Sequence, residues 1–337
     1  MKAVVVEKVG AIALKDVPKP EAPPGFALVK VKVCAICATD LEVIDGNIPA
    51  DYPIIMGHEW SGVVESVGSA EDSHRINKRV TGSNDIVCLK CEACRSGNWR
   101  YCKEFREIGF RGNGAYAEYI CVPAYGLCEL PDNVSFEEAA LAEPLGVALG
   151  ALEKSGAAFD DTILIIGAGS IGLCMIAVAR EMGLKNITAA AHSGNRLEIA
   201  KEMGASAAIA TGEQDIFAKM AECHPEGSDI IIDCTGIESC IQNSLKLAKK
   251  GGTIVLAGYG RGKIMNIRMD DIHINNLRVV GAGNNWNKHK QAVSLMARGA
   301  VDMKKLITAK LPLEDYAKGI EMARTRPYGF VKAVFEF

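Results

Sequence analysis

The spacing of hydrophobic residues divides the chain into two stretches with different rhythms. Over the first 150 residues, short runs of Val, Ile and Leu are broken by Pro, Gly and Asn, as at 27–33, 62–67 and 115–122. Short apolar runs separated by turn residues are typical of antiparallel β structure. We therefore predict a turn-rich β domain in this part of the chain.

From residue 161 onward, strand-like apolar runs alternate with longer helical stretches. The helical pattern is clear at 170–182 and 195–203, and the strand-like runs are 162–166, 186–191, 230–234, 253–257 and 277–281. This alternation predicts βαβ units and a parallel, doubly wound sheet of the α/β class. Residues 287–298 also have a helical pattern. Residues 329–337 read as a final strand that could return to the first domain.

Composition and charge narrow the class of protein. The chain has 337 residues, which is more than one hydrophobic core usually serves. Its 49% hydrophobic and 23% charged residues, with a formal net charge of -3, indicate a globular protein without a polyanion-binding surface. The apolar run within 1–8 is too short for a signal peptide, and the run at 163–179 contains three glycines. We expect a soluble, cytoplasmic protein with neither nucleic-acid nor membrane partners.

Four of the twelve cysteines lie within fifteen residues, at Cys88, Cys91, Cys94 and Cys102. Four thiolates from one loop can surround a zinc ion tetrahedrally and leave no open position, which predicts a structural zinc site. An iron–sulfur cluster uses the same ligand type and stays open as an alternative. A nucleic-acid-binding ribbon is disfavoured, because the charges around this loop are mixed.

A second set of candidate metal ligands is dispersed along the first 150 residues. Cys37 ends a strand-like run, His58 and Glu59 follow a glycine, and Glu143 precedes a proline. One thiolate, one imidazole and one carboxylate would leave the fourth zinc position open, as a catalytic site requires. Each residue alone is a weak signal, because a His beside a Glu is more often a surface or helix-cap pair.

A glycine-rich turn follows the strand-like run 162–166 and opens an apolar helix. Its glycines permit a tight turn, and the helix N-terminus offers free N–H groups and a positive dipole to a pyrophosphate. In this context the turn predicts dinucleotide binding. The residues of the turn are Gly167, Ala168, Gly169, Ser170, Ile171 and Gly172.

The end of the next strand bears on the choice of nicotinamide cofactor. An acidic residue there would bind the ribose hydroxyls of NAD, but Ala191 occupies the expected position. His192, Ser193 and Arg196 are possible donors to a 2′-phosphate, which favours NADP. NAD stays open, because Arg196 could simply be a solvated residue. Further cofactor contacts are expected at the ends of later strands, at Thr235, Ala257 and Gly258.

Together these motifs resemble the zinc-containing medium-chain alcohol dehydrogenases, and within them the polyol (sorbitol) and threonine dehydrogenase branch. The resemblance implies a GroES-like β domain over 1–150, which carries both zinc sites and is completed by 287–337. It also implies a Rossmann domain over 151–286, with the cofactor and catalytic zinc in the cleft between the domains. A homodimer or homotetramer is expected. Besides the cysteine loop and the glycine turn, the motifs that carry the resemblance are 35–40, 57–59, 114–119 and 143–145.

The resemblance also implies roles for individual residues. Cys37 and His58 match catalytic zinc ligands, with Glu59 or Glu143 completing the set. Thr39 matches a hydroxyl that relays the substrate proton. Glu42 stands where a relay histidine is often found, so either this carboxylate or water alone would take the proton.

The function we expect is a zinc-dependent hydride transfer between NADP(H) and a secondary alcohol, polyol or sugar-derived, with reversible ketone reduction. One alternative is an NAD-dependent dehydrogenase for a simple or amino-acid-derived alcohol. Another is a non-catalytic, cofactor-binding regulatory protein, which the full set of candidate ligands disfavours. Residues 44–52, 105–113 and 284–287 are expected to determine substrate specificity.

Overall fold

The computed structural model of the chain describes residues 1–192, 194–283 and 288–337. The chain forms two compact units. The first unit combines Met1–Gly146 with Trp286–Phe337, and the second unit is Val147–Asn285. Along the described residues, no helix is both long and apolar enough to cross a bilayer.

The first 155 residues are mainly β structure with a few helices. The helices are α1 (Ala38–Ile44), α2 (Glu92–Arg95), α3 (Phe136–Ala140) and α4 (Ala142–Ser155). The strands are β1 (Lys2–Lys8), β2 (Ala11–Asp16), β3 (Phe26–Ala35), β4 (Ile54–Ile55), β5 (Glu59–Val67), β6 (Arg79–Gly82), β7 (Asp85–Ile86), β8 (Arg106–Glu107), β9 (Tyr119–Pro123) and β10 (Leu127–Glu129).

Strands and helices alternate in the second unit. The strands are β11 (Thr162–Ile166), β12 (Asn186–Ala191), β13 (Ala207–Ala210), β14 (Ser228–Asp233), β15 (Ala248–Leu256) and β16 (Arg278–Gly281). The helices are α5 (Ser170–Glu181), α6 (Asn195–Met203), α7 (Ile216–Cys223), α8 (Glu238–Leu247) and α9 (Met269–Ile274).

The last segment of the chain belongs to the first unit. It contains α10 (His289–Ala297), β17 (Ile307–Pro312), α11 (Tyr316–Thr325) and β18 (Lys332–Glu336). The helix predicted at 287–298 is α10, although position 287 lies outside the described residues. The strand predicted at 329–337 is β18.

The main sheet of the first unit runs in the order β10-β6-β5-β3-β18-β17, and β9 also pairs with β3. Strand β18 lies antiparallel to β3, with Phe335 opposite Cys34. The packing under this sheet centres on Trp60, Tyr116 and Phe335, whose side chains are completely buried. The final strand therefore contributes directly to the core of the N-terminal segment.

The second unit contains a six-stranded parallel sheet in the order β13-β12-β11-β14-β15-β16. This is the strand order of a Rossmann fold, with its switch point between β11 and β14. Central strands are buried on both faces, which explains why β11 is a continuous apolar run rather than an alternating one. The predicted fold class, a GroES-like β domain with a doubly wound Rossmann sheet, is confirmed.

The turn between β11 and α5 depends on glycine at two positions. Gly167 has φ +102°, a region that side chains rarely adopt. A Cβ atom on Gly172 would lie 1.9 Å from the carbonyl oxygen of Gly167. At Gly169, by contrast, a Cβ atom would meet nothing within 4 Å. The close approach of Gly172 to the Gly167 carbonyl holds α5 against β11, whereas the space around Gly169 leaves the turn open to a ligand.

We predict that Gly172→Ala destabilises the second unit by about 2 kcal/mol, because the methyl group forces α5 away from the turn. The matched control is Gly169→Ala, which should change the unfolding free energy by less than about 0.5 kcal/mol. Chemical denaturation of both variants measures these values. Equal stability of the two variants would contradict this account of the turn.

Candidate functional site

Gly57 sets the position of His58 at the start of β5. Its φ is +92°, and a Cβ atom there would lie 2.5 Å from the ring of Tyr116 and 2.9 Å from Cys34 Sγ. Only glycine fits such a position. The backbone is held from the other side, because the amide of Ala115 donates to the Gly57 carbonyl at 2.8 Å.

Cys37 lies directly before α1, where it meets His58. Its backbone N–H donates to Asp40 Oδ2 at 2.9 Å, which fixes the start of the helix. Thr39, in the first turn, donates to Cys37 Sγ at 3.1 Å and lies 3.3 Å from His58 Nε2. A thiol, a hydroxyl and an imidazole therefore converge on one small volume.

Asp40 is a buried carboxylate that contacts three segments of the chain. The hydroxyl of Tyr116 donates to Asp40 Oδ2 at 2.6 Å, and Asp40 Oδ1 lies 3.3 Å from His58 Nδ1. Burial alone would raise the pKa of Asp40, but His58 and Tyr116 lower it below its usual value. A carboxylate facing Nδ1 favours the tautomer whose Nε2 is free to bind a metal.

Glu59 forms an ion pair with Lys332 inside the first unit. Lys332 Nζ donates to the two carboxylate oxygens at 2.7 and 2.6 Å, and both side chains are at most 3% exposed. Burial opposes the charge on the lysine, but the Glu59 carboxylate raises the pKa of Lys332 above its usual value. Lys332 is therefore an ammonium despite its burial.

The structure brings three of the four dispersed metal-ligand candidates into one group. Cys37, His58 and Glu59 offer ligand atoms that all lie within 4.8 Å of one another. Glu143, in the first turn of α4, is not part of this group among the described residues. Burial raises the pKa of Glu143 to about 7, with His58 opposing the shift and Glu59 adding to it.

The proposed relay residue Glu42 lies on α1, one turn beyond Thr39. Its side chain is 9% exposed, and Asn47 Nδ2 donates to Glu42 Oε2 at 2.7 Å. This hydrogen bond holds the carboxylate in place. Its role in proton release remains a prediction.

The four clustered cysteines converge as their spacing predicts. All four sulfur atoms lie within 4.8 Å of one another, and Cys88 Sγ lies 3.5 Å from Cys102 Sγ and 3.9 Å from Cys94 Sγ. Sulfur atoms about 2.3 Å from a zinc ion lie roughly 3.8 Å apart in a tetrahedron. Backbone N–H groups, first that of Cys94, lower the pKa of Cys91 to about 6. This geometry suits a single ion better than a cluster, whose cysteines bind different iron atoms.

The candidate dinucleotide residues gather at the carboxyl ends of β11, β14 and β15. The buried Asp233 carboxylate accepts from Thr235 Oγ1 at 2.6 Å and from the Gly236 amide at 2.9 Å, which fixes the loop after β14. The amides of Ala257 and Gly258 donate to the Asp233 carbonyl. Of the glycine turn, Ala168 is buried, whereas Ser170 and Ile171 begin α5.

The residues expected to select the cofactor follow β12. Ala191 is the last residue of that strand, and Arg196 lies in the first turn of α6. His192 lies beside Gly212, whose amide donates to the His192 carbonyl at 3.2 Å. Ser193 lies outside the described residues, as do the specificity candidates at 284–287.

Sequence reasoning assigned no role to Asp40, Tyr116 or Lys332. Asp40 and Tyr116 belong to the motifs that carried the resemblance, so their position was a usable signal. Lys332 is 273 residues from its partner Glu59. Nothing in its neighbourhood along the chain indicates that its charge is buried.

Comparison with known families agrees with this geometry. Residues 23–132 match the alcohol dehydrogenase GroES-like domain, and residues 170–298 match the zinc-binding dehydrogenase family. The chain belongs to the zinc-binding dehydrogenases. The resemblance to the polyol and threonine dehydrogenase branch is confirmed, and the protein is an NAD(P)-dependent zinc-type dehydrogenase.

Two relatives illustrate the range of substrates in this family. L-threonine 3-dehydrogenase of Pectobacterium atrosepticum is 30% identical to this dehydrogenase, over 95% of this chain and 90% of the relative. Sorbitol dehydrogenase of Bacillus subtilis is also 30% identical, over 96% and 93% of the two chains.

Solved structures show the same fold with different cofactors. A zinc-binding dehydrogenase from Sinorhizobium meliloti bound to NADP has a TM-score of 0.93 and 32% identity, covering 100% of this chain and 99% of the other. An Escherichia coli alcohol dehydrogenase complexed with NADH has a TM-score of 0.94 and 28% identity, with the same coverage.

We predict that Asp40→Asn weakens metal retention at the Cys37–His58 group about 10- to 100-fold, because the neutral amide no longer orients His58. Zinc content after dialysis against a chelator measures the loss. Tyr116→Phe removes one of the donors to Asp40 and keeps the carboxylate, so it should retain zinc nearly as well as the unchanged enzyme. Equal retention in Asp40→Asn and the unchanged enzyme would refute the orienting role.

Proposed function

We propose that this dehydrogenase transfers a hydride between NADP(H) and a secondary alcohol of a polyol or sugar-derived compound, and that it also reduces the ketone. The convergence of Cys37, His58 and Glu59 beside the Thr39 hydroxyl carries the proposal. The relatives named for sorbitol and for the 3-position of L-threonine support a secondary alcohol as the reacting group.

Cys37, His58 and Glu59 would hold the catalytic zinc. A zinc ion in such a site acidifies the substrate hydroxyl, and the nicotinamide accepts the hydride. The mixed set of one sulfur, one nitrogen and one oxygen leaves a fourth position for the substrate. Glu143 lies outside the close group and would interact with the site as a neighbouring carboxyl, or exchange with Glu59.

Thr39 would take the proton from the substrate. Its hydroxyl lies 3.1 Å from Cys37 Sγ and 3.3 Å from His58 Nε2, so it borders the same small volume. A hydroxyl can accept one proton while it donates its own to a neighbour, which suits a relay. Glu42, held by Asn47, or a water molecule would then receive the proton.

The four-cysteine loop would hold a structural zinc ion. The sulfur spacing in this loop suits one tetrahedral ion, and its four thiolates leave no open coordination position for a substrate. The thiolates are those of Cys88, Cys91, Cys94 and Cys102. This zinc would stabilise the loop without taking part in hydride transfer.

The preference for NADP rests on the end of β12. No carboxylate stands at Ala191, and Arg196 begins the following helix, where a 2′-phosphate could be bound. The NADP-bound neighbour from Sinorhizobium meliloti supports this preference. The neighbour complexed with NADH shows that the fold itself accepts either cofactor.

A homodimer or homotetramer that assembles through the edge strand β16 is also part of the proposal. This strand ends the order of the parallel sheet, and Val279 is 38% exposed on it. Exposed strand edges favour pairing with another strand.

Formation of reduced nicotinamide by the zinc-loaded enzyme tests the proposed alcohol oxidation. The assay offers polyols, sugar phosphates, L-threonine and simple primary alcohols, each with NADP and with NAD. We expect turnover with a polyol or sugar-derived alcohol and NADP. Turnover only with a primary alcohol would refute the substrate class, and cofactor binding without any turnover would favour the non-catalytic alternative.

We predict that Ala191→Asp reverses the cofactor preference, because the new carboxylate repels a 2′-phosphate and binds the ribose hydroxyls of NAD. The expected change is at least about tenfold in the ratio of kcat/KM values for NADP and NAD, which is roughly 1.4 kcal/mol. Ala191→Asn provides the matched control without the charge and should change the ratio far less. A ratio that is the same in the Asp and Asn variants would refute the electrostatic argument.

A further inference from the structure

Lys332 places a positive charge beside the group that would bind the catalytic zinc. Its ammonium donates to both oxygens of Glu59 and lies 3.4 Å from the carbonyl oxygen of Ile36. The side chain is 3% exposed, so water does not screen this charge. The buried cation and the candidate metal ligand therefore form one electrostatic unit.

The position of this ammonium is fixed by the sheet. Lys332 is the first residue of β18, which pairs with the end of β3 through Val334 and Ala35. The amide of Ile36 donates to the Ala333 carbonyl at 2.9 Å. The C-terminal strand is thus held directly against the segment that leads into Cys37, and Lys332 cannot easily leave Glu59.

A carboxylate that accepts two hydrogen bonds from an ammonium has fewer free lone pairs for a metal. This competition reduces the strength with which Glu59 would bind zinc, because an ammonium–carboxylate hydrogen bond must be given up for each lone pair that the metal takes.

We infer that Lys332 is a positioning residue that keeps Glu59 a weak, exchangeable ligand of the catalytic metal. The inference rests on the proposed function, because it requires a metal at Cys37 and His58. Lys332 acts only through Glu59 and touches no reacting atom. Its removal therefore tightens metal binding, in contrast to the removal of Asp40, which orients a ligand.

The experiment measures the rate at which the full-length, zinc-loaded enzyme releases zinc to dipicolinate. Cys37→Ala identifies which of two zinc ions belongs to the site, because this variant should retain only the zinc of the four cysteines. Lys332→Met has similar length without the charge, and we expect it to slow release from the site at least about tenfold, because the charged hydrogen bonds no longer compete with the metal. Lys332→Arg keeps the charge and should release zinc within about threefold of the unchanged rate.

Release from folded Lys332→Met that is unchanged or faster would overturn the inference. A Cys37→Ala variant that still retains two zinc ions would instead refute the proposed metal site, so the two failures are distinguishable.

If Lys332→Met does not fold, a second pair of variants tests whether Lys332 acts through Glu59. Glu59→Gln and the double variant Glu59→Gln/Lys332→Met should release zinc at rates within about threefold of each other, because the lysine acts through the carboxylate. The double variant removes both charges of the buried pair and should therefore fold. A larger difference between these two variants would also overturn the inference.

Discussion

The candidate catalytic centre depends on one buried carboxylate, that of Asp40. It receives the backbone N–H of Cys37 and the hydroxyl of Tyr116, and it faces the Nδ1 atom of His58. These groups come from three segments that are far apart along the chain. A buried charge without partners is costly, so the folded arrangement is stable only when the three segments meet around Asp40. The same contacts position a sulfur and a nitrogen ligand relative to each other.

Several charged side chains lie around the candidate metal ligands. Asp40, Glu59 and Glu143 bring carboxyl groups into a largely buried region, and Lys332 supplies one positive charge. Burial raises the pKa of Glu143 to about 7, because a charged carboxylate is poorly solvated there. A divalent cation bound by Cys37 and His58 would offset the negative charge of the neighbouring carboxylates. The fit of the residues to zinc therefore rests on electrostatics as well as on ligand type.

Much of the fold was predictable because it depends on local patterns. Continuous apolar runs alternating with helices predicted the parallel sheet. The spacing of Cys88, Cys91 and Cys94 likewise predicted that the sulfur atoms converge, since ligands from one loop meet without depending on distant parts of the chain. The dispersed set of Cys37, His58, Glu59 and Glu143 was a weak signal from the residues alone and was strengthened by the resemblance. Lys332 was missed because its contact with Glu59 depends on the pairing of β18 with β3, which no local pattern reports.

Anomalous diffraction at the zinc absorption edge, from crystals of the zinc-loaded enzyme, would locate both metal sites in one experiment. We expect two peaks, one bounded by Cys37 Sγ and His58 Nε2 and the other at the centre of the four-cysteine loop. A single peak at the cysteine loop, with none beside Cys37, would contradict the assignment of a catalytic zinc site to this chain.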